Sequence, residues 1–353
     1  MSDHIPFEIQ AQIMKRLPAK KLIQSKMVSK QWKSLIESSR FMTAYNLSKT
    51  GPSHLFIRFV HSLPDSLKPL YNRIDDPRIV GSSHGLFCLY GDSTAGTFTV
   101  IWNPSINKCI AVDMGMHFDG TSKIGFGVRP DTLDPMIVKI DDDEHTVEVF
   151  RLSTGVWTNR RIDLPRESIA FTIHQVDVNG FIYWSVFDMV ACHLFIVSFD
   201  MKSDKFSEVN LPKCFTSTDK HFSISKLRES LVVLEDCEEA ETQKNVCAIW
   251  MMLEDGAEKS FTKLYTISTQ DTLFRVLGFR KSGKPIVGTR IVDDERGMGV
   301  LLSVYDPHSR NIDGLATHRL STYTTLFVSS YTETLLLLDH PNKPIPYQSQ
   351  TIH

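Results

Sequence analysis

The feature that most constrains the fold of this chain is a strand-and-turn pattern that recurs about every fifty residues. In each copy, a short apolar segment ends at a polar residue, and a turn follows. The central residues of the five copies are separated by 48, 49, 54 and 52 positions, and they are Asn103, Arg151, Asp200, Glu254 and Asp306. A repeat of this length in a strand-rich chain is typical of a β-propeller in which each repeat is one four-stranded blade.

The segments between these turns read as strands. Alternation of apolar and polar residues, as in Val147–Phe150, favours half-exposed strands, and Asn-Gly, Asp-Gly and Asn-Pro pairs favour the turns. Counting at this period from Leu55 to Asp339 predicts six blades, with seven possible. We expect a late strand, at residues 325–328 or at Leu335–Leu338, to close a blade with the early strand Leu55–Val60. The sequence has neither the Gly-Gly doublet of standard kelch repeats nor the Trp-Asp pair of WD-type repeats, so this prediction rests on period and strand content.

The first fifty residues follow a helical pattern instead. On one face of a first predicted helix, apolar residues recur at steps of four: Ile9, Ile13 and Leu17. A Leu-Pro pair ends this helix. Two further short helices are predicted, one around Leu22 and one that Ser29 caps and that runs through Trp32. Three short amphipathic helices cannot bury a good core alone. This head therefore either docks a partner through exposed apolar surface or packs on the body as a helical cap.

Charge is divided unevenly between the head and the rest of the chain. The whole chain has 39 basic and 41 acidic side chains, a net charge of −2. Residues 1–50 hold nine basic and three acidic side chains, a net charge of +6, so residues 51–353 carry −8. The near-neutral total argues against a general nucleic-acid binder or a membrane-surface protein. The basic head favours an acidic protein partner.

Composition also indicates the cellular compartment. No apolar run approaches the about 20 residues that a membrane helix needs, and the N-terminus lacks the pattern of a secretory signal. The six cysteines include no C-x-x-C pair, so neither a disulfide framework nor structural zinc is expected. We expect a protein of the cytoplasm and/or the nucleus.

Two motifs invite a catalytic or metal-binding interpretation, and neither has the required context. Gly81–Gly85 matches the Gly-x-Ser-x-Gly nucleophile elbow, which needs a strand, a strained turn at the serine and then a helix. The following residues, Leu86–Tyr90, predict a strand, so we interpret the motif as a β-turn that enters a blade. The acidic run Asp141–His145 lacks the spaced ligands and the glycine of a calcium loop and is typical of a charged hairpin tip. We therefore predict no catalytic residue, no metal ligand and no cofactor.

The N-terminal segment resembles the F-box. It reads Ile-Pro-Phe-Glu-Ile-Gln-Ala-Gln-Ile-Met-Lys-Arg-Leu-Pro at residues 5–18 and Met-Val-Ser-Lys-Gln-Trp-Lys-Ser-Leu-Ile at residues 27–36, with a leucine between them. Against the family pattern, only the first position departs, with isoleucine in place of leucine. The resemblance implies docking to the Skp-family adaptor of an SCF ubiquitin ligase and, through the adaptor, to a cullin. The residues that it assigns to adaptor binding, or to support of that face, are Ile5, Pro6, Ile9, Ile13, Leu17, Pro18, Leu22, Val28 and Trp32.

The body is similar to the plant F-box-associated domain, whose repeats are diverged kelch-like repeats. Segments in the family's order include Gly81–Leu89, Ile101–Ser105, Ile124–Gly127, Asn179–Trp184 and Ile249–Met252. The usual Asp-Tyr-Lys-Val segment is replaced by Asp-Pro-Met-Ile-Val-Lys. The resemblance implies an all-α head followed by an all-β propeller. The expected domains are an F-box at 1–47, a linker with the first propeller strand at 48–80, the propeller at 81–340 and a C-terminal tail at 341–353.

Together, the two resemblances imply a non-catalytic substrate receptor. The F-box would dock to the adaptor, and the propeller would capture a protein target for ubiquitination and proteasomal degradation. Other subunits would carry out ubiquitin transfer, and this chain would bring the target close to them. Two alternatives stay open: an F-box scaffold that acts outside a ligase, and a propeller enzyme with a helical cap. The target is not readable from the sequence, because propeller loops diverge and a fold does not fix a ligand.

Overall fold

The structure of the chain is a computed structural model that covers most of its length. It describes residues 5–49, 54–59, 75–93, 96–115, 123–141, 146–161, 164, 166, 169–212, 215, 221–239, 244–255, 258–268, 274–293, 297–319, 326–341 and 344–351.

The N-terminal part is helical, as predicted. Its helices are α1 (Phe7–Arg16), α2 (Ala19–Ser25), α3 (Lys30–Ile36) and α4 (Ser39–Ser48). Helix α1 ends where Leu17 is extended, with ψ of 150°, because the following proline disfavours a helical conformation there. The predicted cap of α3 is confirmed: the Ser29 hydroxyl accepts a hydrogen bond from the backbone N–H of Trp32 at 3.1 Å.

The prediction of three helices was wrong, because α4 follows α3 directly. Its N-cap, Ser38, accepts a hydrogen bond from the backbone N–H of Phe41 at 3.3 Å. Phe41 and Tyr45, one helical turn apart, are buried on the same face. The signals that predicted α3, a serine cap and apolar residues at helical spacing, were therefore present for α4 as well. Among the described residues, no helix is long and apolar enough to span a membrane.

The body consists of β-sheets in which most strands pair antiparallel with their neighbours in sequence. Five sheets each contain four consecutive strands. Their strands are β2 (Asp75–Ser83), β3 (Leu86–Ser93), β4 (Gly96–Asn103) and β5 (Lys108–Asp113); β6 (Lys123–Val128), β7 (Pro135–Asp141), β8 (Thr146–Arg151) and β9 (Val156–Arg161); β10 (Ile169–Val178), β11 (Phe181–Asp188), β12 (His193–Asp200) and β13 (Lys205–Val209); β14 (His221–Leu227), β15 (Ser230–Glu239), β16 (Lys244–Asp255) and β17 (Glu258–Ser268); and β18 (Phe274–Phe279), β19 (Pro285–Asp293), β20 (Gly297–Tyr305) and β21 (Ile312–Arg319).

The described residues thus form five four-stranded blades, which corrects the prediction of six or seven. The early strand β1 (His54–Phe59) and the late strand β22 (Leu326–Tyr331) pair with each other in a two-stranded sheet. The last described strand, β23 (Ser349–Thr351), lies parallel to β9 at the edge of its sheet. The expected pairing of an early and a late strand is therefore confirmed for β22. The other candidate, Leu335–Leu338, lies in an irregular and turn segment. Extending the period to both ends of the chain overcounted, because the described parts of these end segments form a two-stranded sheet and not a four-stranded one.

The period itself has a simple structural origin. Each of the five recurring polar residues lies at or next to the end of the third strand of a sheet. These third strands are β4, β8, β12, β16 and β20. Each sheet repeats the same four-strand meander, so this position recurs once per sheet. The Asn-Gly pair at residues 179–180 forms the two-residue turn between β10 and β11, with φ of 49° and 85°, the positive values that favour this pair in hairpins.

The chain divides into two compact units. The first contains residues 1–54, 63–117 and 331–347, and the second contains residues 55–62, 118–330 and 348–353. The first unit therefore holds the four helices, the sheet β2–β5 and a segment from near the C-terminus. The expected domain boundaries at residues 47, 80 and 340 stay predictions.

In the second unit, buried side chains form three clusters. Their residues come from β7, β8 and β10–β13 in the first cluster, from β10–β17 in the second, and from β14–β20 in the third. Successive sheets therefore pack against each other through apolar faces, with Trp184 and Tyr183, neighbours on β11, buried in different clusters. Opposite faces of one strand serve the two adjoining sheets, as the period-two alternation of a strand requires.

Candidate functional site

Of the three apolar residues that the sequence predicted on one face of α1, Ile9 and Ile13 face solvent, whereas Leu17, at the end of the helix, packs inward. Together with Ile5, which precedes α1, Ile9 and Ile13 form an exposed stripe. Ile5 is 52% exposed, Ile9 is 45% exposed and Ile13 is 49% exposed. Val28, between α2 and α3, is 66% exposed. Large aliphatic side chains are usually buried, so several of them exposed in one short segment mark a binding surface. Of the remaining predicted residues, Pro6 and Pro18 are also exposed, and each occupies the N-cap position of a helix.

Three of the predicted site residues lie inward. Leu22 is completely buried, and the half-buried Leu17 and Trp32 pack against the same group of buried side chains. This helical core comprises Met14, Ala19, Leu22, Ile36, Phe41, Met42, Tyr45 and Leu335. The three inward residues thus support the exposed stripe from beneath, and Leu22 has no surface left for a partner.

Polar contacts fix how the helices meet. The indole N–H of Trp32 donates to the side-chain carbonyl oxygen of Gln10 at 2.8 Å, which ties α3 to α1. The Leu17 carbonyl oxygen at the corner between α1 and α2 accepts from the Tyr45 hydroxyl at 3.0 Å and from the Lys49 ammonium at 3.1 Å. Burial, with the nearby Glu333 carboxylate, raises the pKa of the Tyr45 phenol above its usual range. Tyr45 therefore stays a neutral hydrogen-bond donor.

Three exposed apolar residues of the head were missed by the sequence-based assignment. Phe7 is 43% exposed on α1, Met27 is 91% exposed beside Val28, and Leu47 is 65% exposed on α4. Phe7 and Met27 lie outside the steps of four that defined the stripe, and α4 was not predicted. The two adjacent residues Met27 and Val28 form the most exposed apolar part of the described head.

Basic side chains flank the exposed stripe. Arg16 at the end of α1 and Lys20 and Lys21 at the start of α2 are exposed. Within the described head, the cation paired with a carboxylate is Lys26, whose ammonium lies 2.6 Å from Glu37 and lowers the pKa of that carboxyl. The other cations of this surface keep their charge available, which favours an acidic partner.

The motif with the pattern of a nucleophile elbow adopts a different structure. His84 and Gly85, with φ of 48° and 77°, form a tight turn between β2 and β3, and no helix follows. Ser83 is 5% exposed, and its hydroxyl lies 3.0 Å from Nδ1 of His84. A strand-turn-strand unit lacks the helix N-terminus that helps to form an oxyanion hole. The interpretation as a β-turn is confirmed.

The predicted acidic hairpin tip begins at Asp141, the last residue of β7, and its residues 142–145 lie outside the described part. In the described ranges, no group of three or more His, Cys, Asp or Glu side chains could hold a metal ion.

Comparisons with known proteins agree with both parts of this architecture. The family model for the F-box associated beta propeller domain matches residues 36–322, and the model for the F-box domain matches residues 2–43. An F-box/kelch-repeat protein of Arabidopsis thaliana is 25% identical over 301 residues, which cover 75% of this chain and 79% of the relative. A putative F-box protein of the same plant is 26% identical over 277 residues, covering 72% of this chain and 88% of the relative.

Among solved structures, the β-propeller domain of the trilobed protease from Pyrococcus furiosus aligns with a TM-score of 0.40 and 16% identity. The alignment covers 77% of this chain and 82% of that one. At this level of similarity, the comparison supports no conclusion about function.

Proposed function

Because this chain belongs to the family of proteins with an F-box-associated β-propeller domain preceded by an F-box, we propose that it is the substrate-recognition subunit of an SCF-type ubiquitin ligase. The head docks to the Skp-family adaptor and, through it, to a cullin. The propeller captures a protein target, which is then ubiquitinated and degraded by the proteasome. The receptor is not an enzyme, since ubiquitin transfer belongs to other subunits and the receptor contributes proximity.

One observation carries this proposal. The segment that matches the F-box presents a stripe of isoleucines to solvent on α1, although the opposite side of the same helix is anchored in a core through the buried Met14. A stripe that the described part of the chain leaves exposed favours a partner rather than a cap packed on the body. Apolar anchors at the centre of such a surface typically contribute about 2 kcal/mol or more each.

The free cysteines suggest where the receptor works. The five described cysteines, two of them buried, form no disulfide. Thiols persist in the reducing cytoplasm and nucleus, so we propose one or both of these compartments, which cell fractionation can test.

Co-purification tests adaptor docking. We expect the full chain to co-purify with a Skp-family adaptor, and the double substitution Leu17→Ala and Trp32→Ala to remove the adaptor, because the two side chains support the stripe. A control with Leu253→Ala and Leu264→Ala changes two leucines of the body that are 41% and 36% exposed. The control should keep the adaptor. Unchanged co-purification of the Leu17/Trp32 variant would contradict the assignment of the head.

Affinity purification with and without residues 1–45 separates the ligase role from a scaffold role. Proteins retained by both forms are candidate targets of the propeller. A ligase receptor predicts that the half-life of such a target increases in cells when residues 1–45 are deleted. A target that stays bound to the shortened chain but keeps its half-life would favour the scaffold.

A further inference from the structure

Residues 331–341 supply part of the helical core beneath the exposed stripe of Ile5, Ile9 and Ile13, which is called the docking stripe from here on. Leu335 is completely buried in that core, together with Leu22, Ile36 and Tyr45. Leu338 packs against the same core as a partly buried side chain. The head therefore does not complete its core from its own sequence. It takes a side chain from about 290 residues further along the chain.

Polar groups of the same segment satisfy donors and acceptors of the helices. The side-chain oxygen of Asn46 on α4 accepts from the backbone N–H of Leu335 at 2.9 Å and from the Thr334 hydroxyl at 3.1 Å. The Glu333 carboxylate accepts from the backbone N–H of Ala19 at 3.1 Å. Ala19 is the first residue of α2, and the first N–H groups of a helix have no partner within the helix. Glu333 therefore caps α2 from outside the head.

Residues 331–341 are also hydrogen-bonded to the sheet β2–β5. The side-chain amide of Asn103 donates to the carbonyl oxygens of Thr334 at 3.1 Å and Leu336 at 2.7 Å. The Lys108 ammonium donates to the carbonyl oxygen of Leu338 at 2.8 Å and also to that of His340. Burial lowers the pKa of Lys108, and these carbonyl oxygens replace part of the lost hydration. Helices, segment and sheet thus form one packed body inside the first unit.

The docking stripe and this shared core are on the same helix. Ile13 and Met14 are adjacent on α1, with Ile13 exposed and Met14 buried beside the other core residues. If the segment left, the cavity of Leu335 would open, Ala19 would lose its acceptor, and apolar side chains of α2, α3 and α4 would face water. The orientation of the stripe therefore depends on a core to which residues 331–341 contribute Leu335 and Leu338.

We propose that adaptor docking is conditional on residues 331–341, so that only a chain with a completed first unit presents a competent head. This inference rests on the proposed function and goes beyond it, because the F-box match ends at residue 43 and the propeller match at residue 322. During synthesis, the segment is made only after all five four-stranded sheets. An unfinished or C-terminally truncated chain therefore carries an intact F-box sequence without a competent docking surface.

The test measures the affinity of the full-length chain for a purified Skp-family adaptor by titration calorimetry. Leu335→Ala should raise the dissociation constant at least about tenfold, because the competent fraction of heads falls and the apparent affinity falls with it. Leu315→Ala, the same substitution at a β21 position that is 36% exposed, should stay within about twofold of the wild type. An affinity of Leu335→Ala equal to that of the wild type overturns the inference.

A second pair of variants covers the case in which Leu335→Ala unfolds the chain. Glu333→Ala removes the acceptor for the Ala19 N–H and should weaken docking, whereas Glu333→Gln keeps a side-chain oxygen and should restore most of the affinity. Equal affinities for these two variants would count against the capping role. Circular dichroism of the strands should be unchanged in both.

Hydrogen exchange without adaptor separates this inference from the proposed function. Glu333→Ala should speed amide exchange in α2 relative to Glu333→Gln, whichever partner the head binds. If the wild-type chain does not bind the adaptor, the proposed function is wrong. If the wild type binds and the amides of α2 exchange equally fast in both variants, the dependence on residues 331–341 is wrong.

Discussion

The Lys139 ammonium lies 3.0 Å from the Glu148 carboxylate, and the two side chains are only 5% and 8% exposed. The residues are directly opposite each other on β7 and β8. A buried ion pair contributes little beyond a well-packed apolar pair, but removing one partner leaves an uncompensated charge. The sequence did not predict this pair, because the alternation in Val147–Phe150 favours a half-exposed strand, whereas Glu148 is buried in the structure.

We therefore expect Lys139→Met to lower the free energy of unfolding by about 3–5 kcal/mol. The double variant Lys139→Met/Glu148→Leu should be close to the wild type, because it removes both charges together. Urea unfolding followed by tryptophan fluorescence measures both values. A double variant as unstable as the single variant would argue that the pair itself stabilises the fold.

The exposed stripe and the core beneath it should respond differently to substitution. Ile9→Ala with Ile13→Ala should abolish adaptor binding at nearly constant melting temperature, because both side chains are about half exposed. Leu22→Ala should cost about 2–5 kcal/mol of stability, since it leaves a cavity in the helical core. Calorimetric melting and adaptor titration on the same samples make the comparison. Adaptor binding at wild-type affinity by the Ile9/Ile13 variant would show that the docking surface lies elsewhere.

Gly85 is expected to tolerate no side chain. Its φ is 77°, and an added Cβ would lie 2.1 Å from the carbonyl oxygen of Thr332. Gly155, with φ of 71°, has no atom within 4 Å of an added Cβ. Gly155→Ala therefore measures the backbone cost alone, about 1–3 kcal/mol, and Gly85→Ala should cost clearly more. Similar losses in urea unfolding for both variants would mean that Thr332 moves away freely.

Asp188 gives a prediction with a pH dependence. Its carboxylate accepts from the backbone N–H groups of Ala191 and Val190 at 2.8 and 2.9 Å, and from the Arg166 guanidinium at 2.6 Å. These bonds lower its pKa to about 2. Because the pKa is lower in the folded than in the unfolded chain, the charged form stabilises the fold above pH about 4, and this stabilisation is lost as the pH falls towards 2.

Asp188→Asn should therefore destabilise the protein most near pH 7. The difference in unfolding midpoint between variant and wild type should shrink as the pH falls from about 4 towards 2. Urea unfolding of both proteins at pH 7, 4 and 3 tests this trend. A difference that does not vary with pH would mean that charge on Asp188 is not what stabilises the turn.

Local patterns were sufficient for much of the architecture. The helix end at Leu17, the cap at Ser29 and the turn at residues 179–180 depend on neighbours in sequence, and all were predicted. The blade number was wrong, because whether an end segment builds a four-stranded sheet depends on its pairing partners. Strands β1 and β22 had the expected pattern and pair with each other, and no further strand among the described residues joins them.

The residues that were predicted to dock the adaptor divide along the same line. The F-box resemblance identified Ile5, Ile9, Ile13 and Val28, which are exposed, but it could not separate them from Leu22, which is buried. Exposure depends on which helices pack together, and helical periodicity alone reports only a shared face. Met27, the most exposed apolar residue of the described head, had no periodic signal.

The sequence by itself determined that a basic helical head precedes a repeating β-body, because charge, periodicity and turn signals are properties of short segments. Only the tertiary structure decided that Leu335 belongs to the core of that head and that Glu333 caps α2. These contacts join residues about 290 and 314 positions apart, and no local pattern records such a contact. The apolar run Leu335–Leu338 was expected to form a strand. In the structure, Leu335 and Leu338 instead pack into the core of the head, at the other end of the chain.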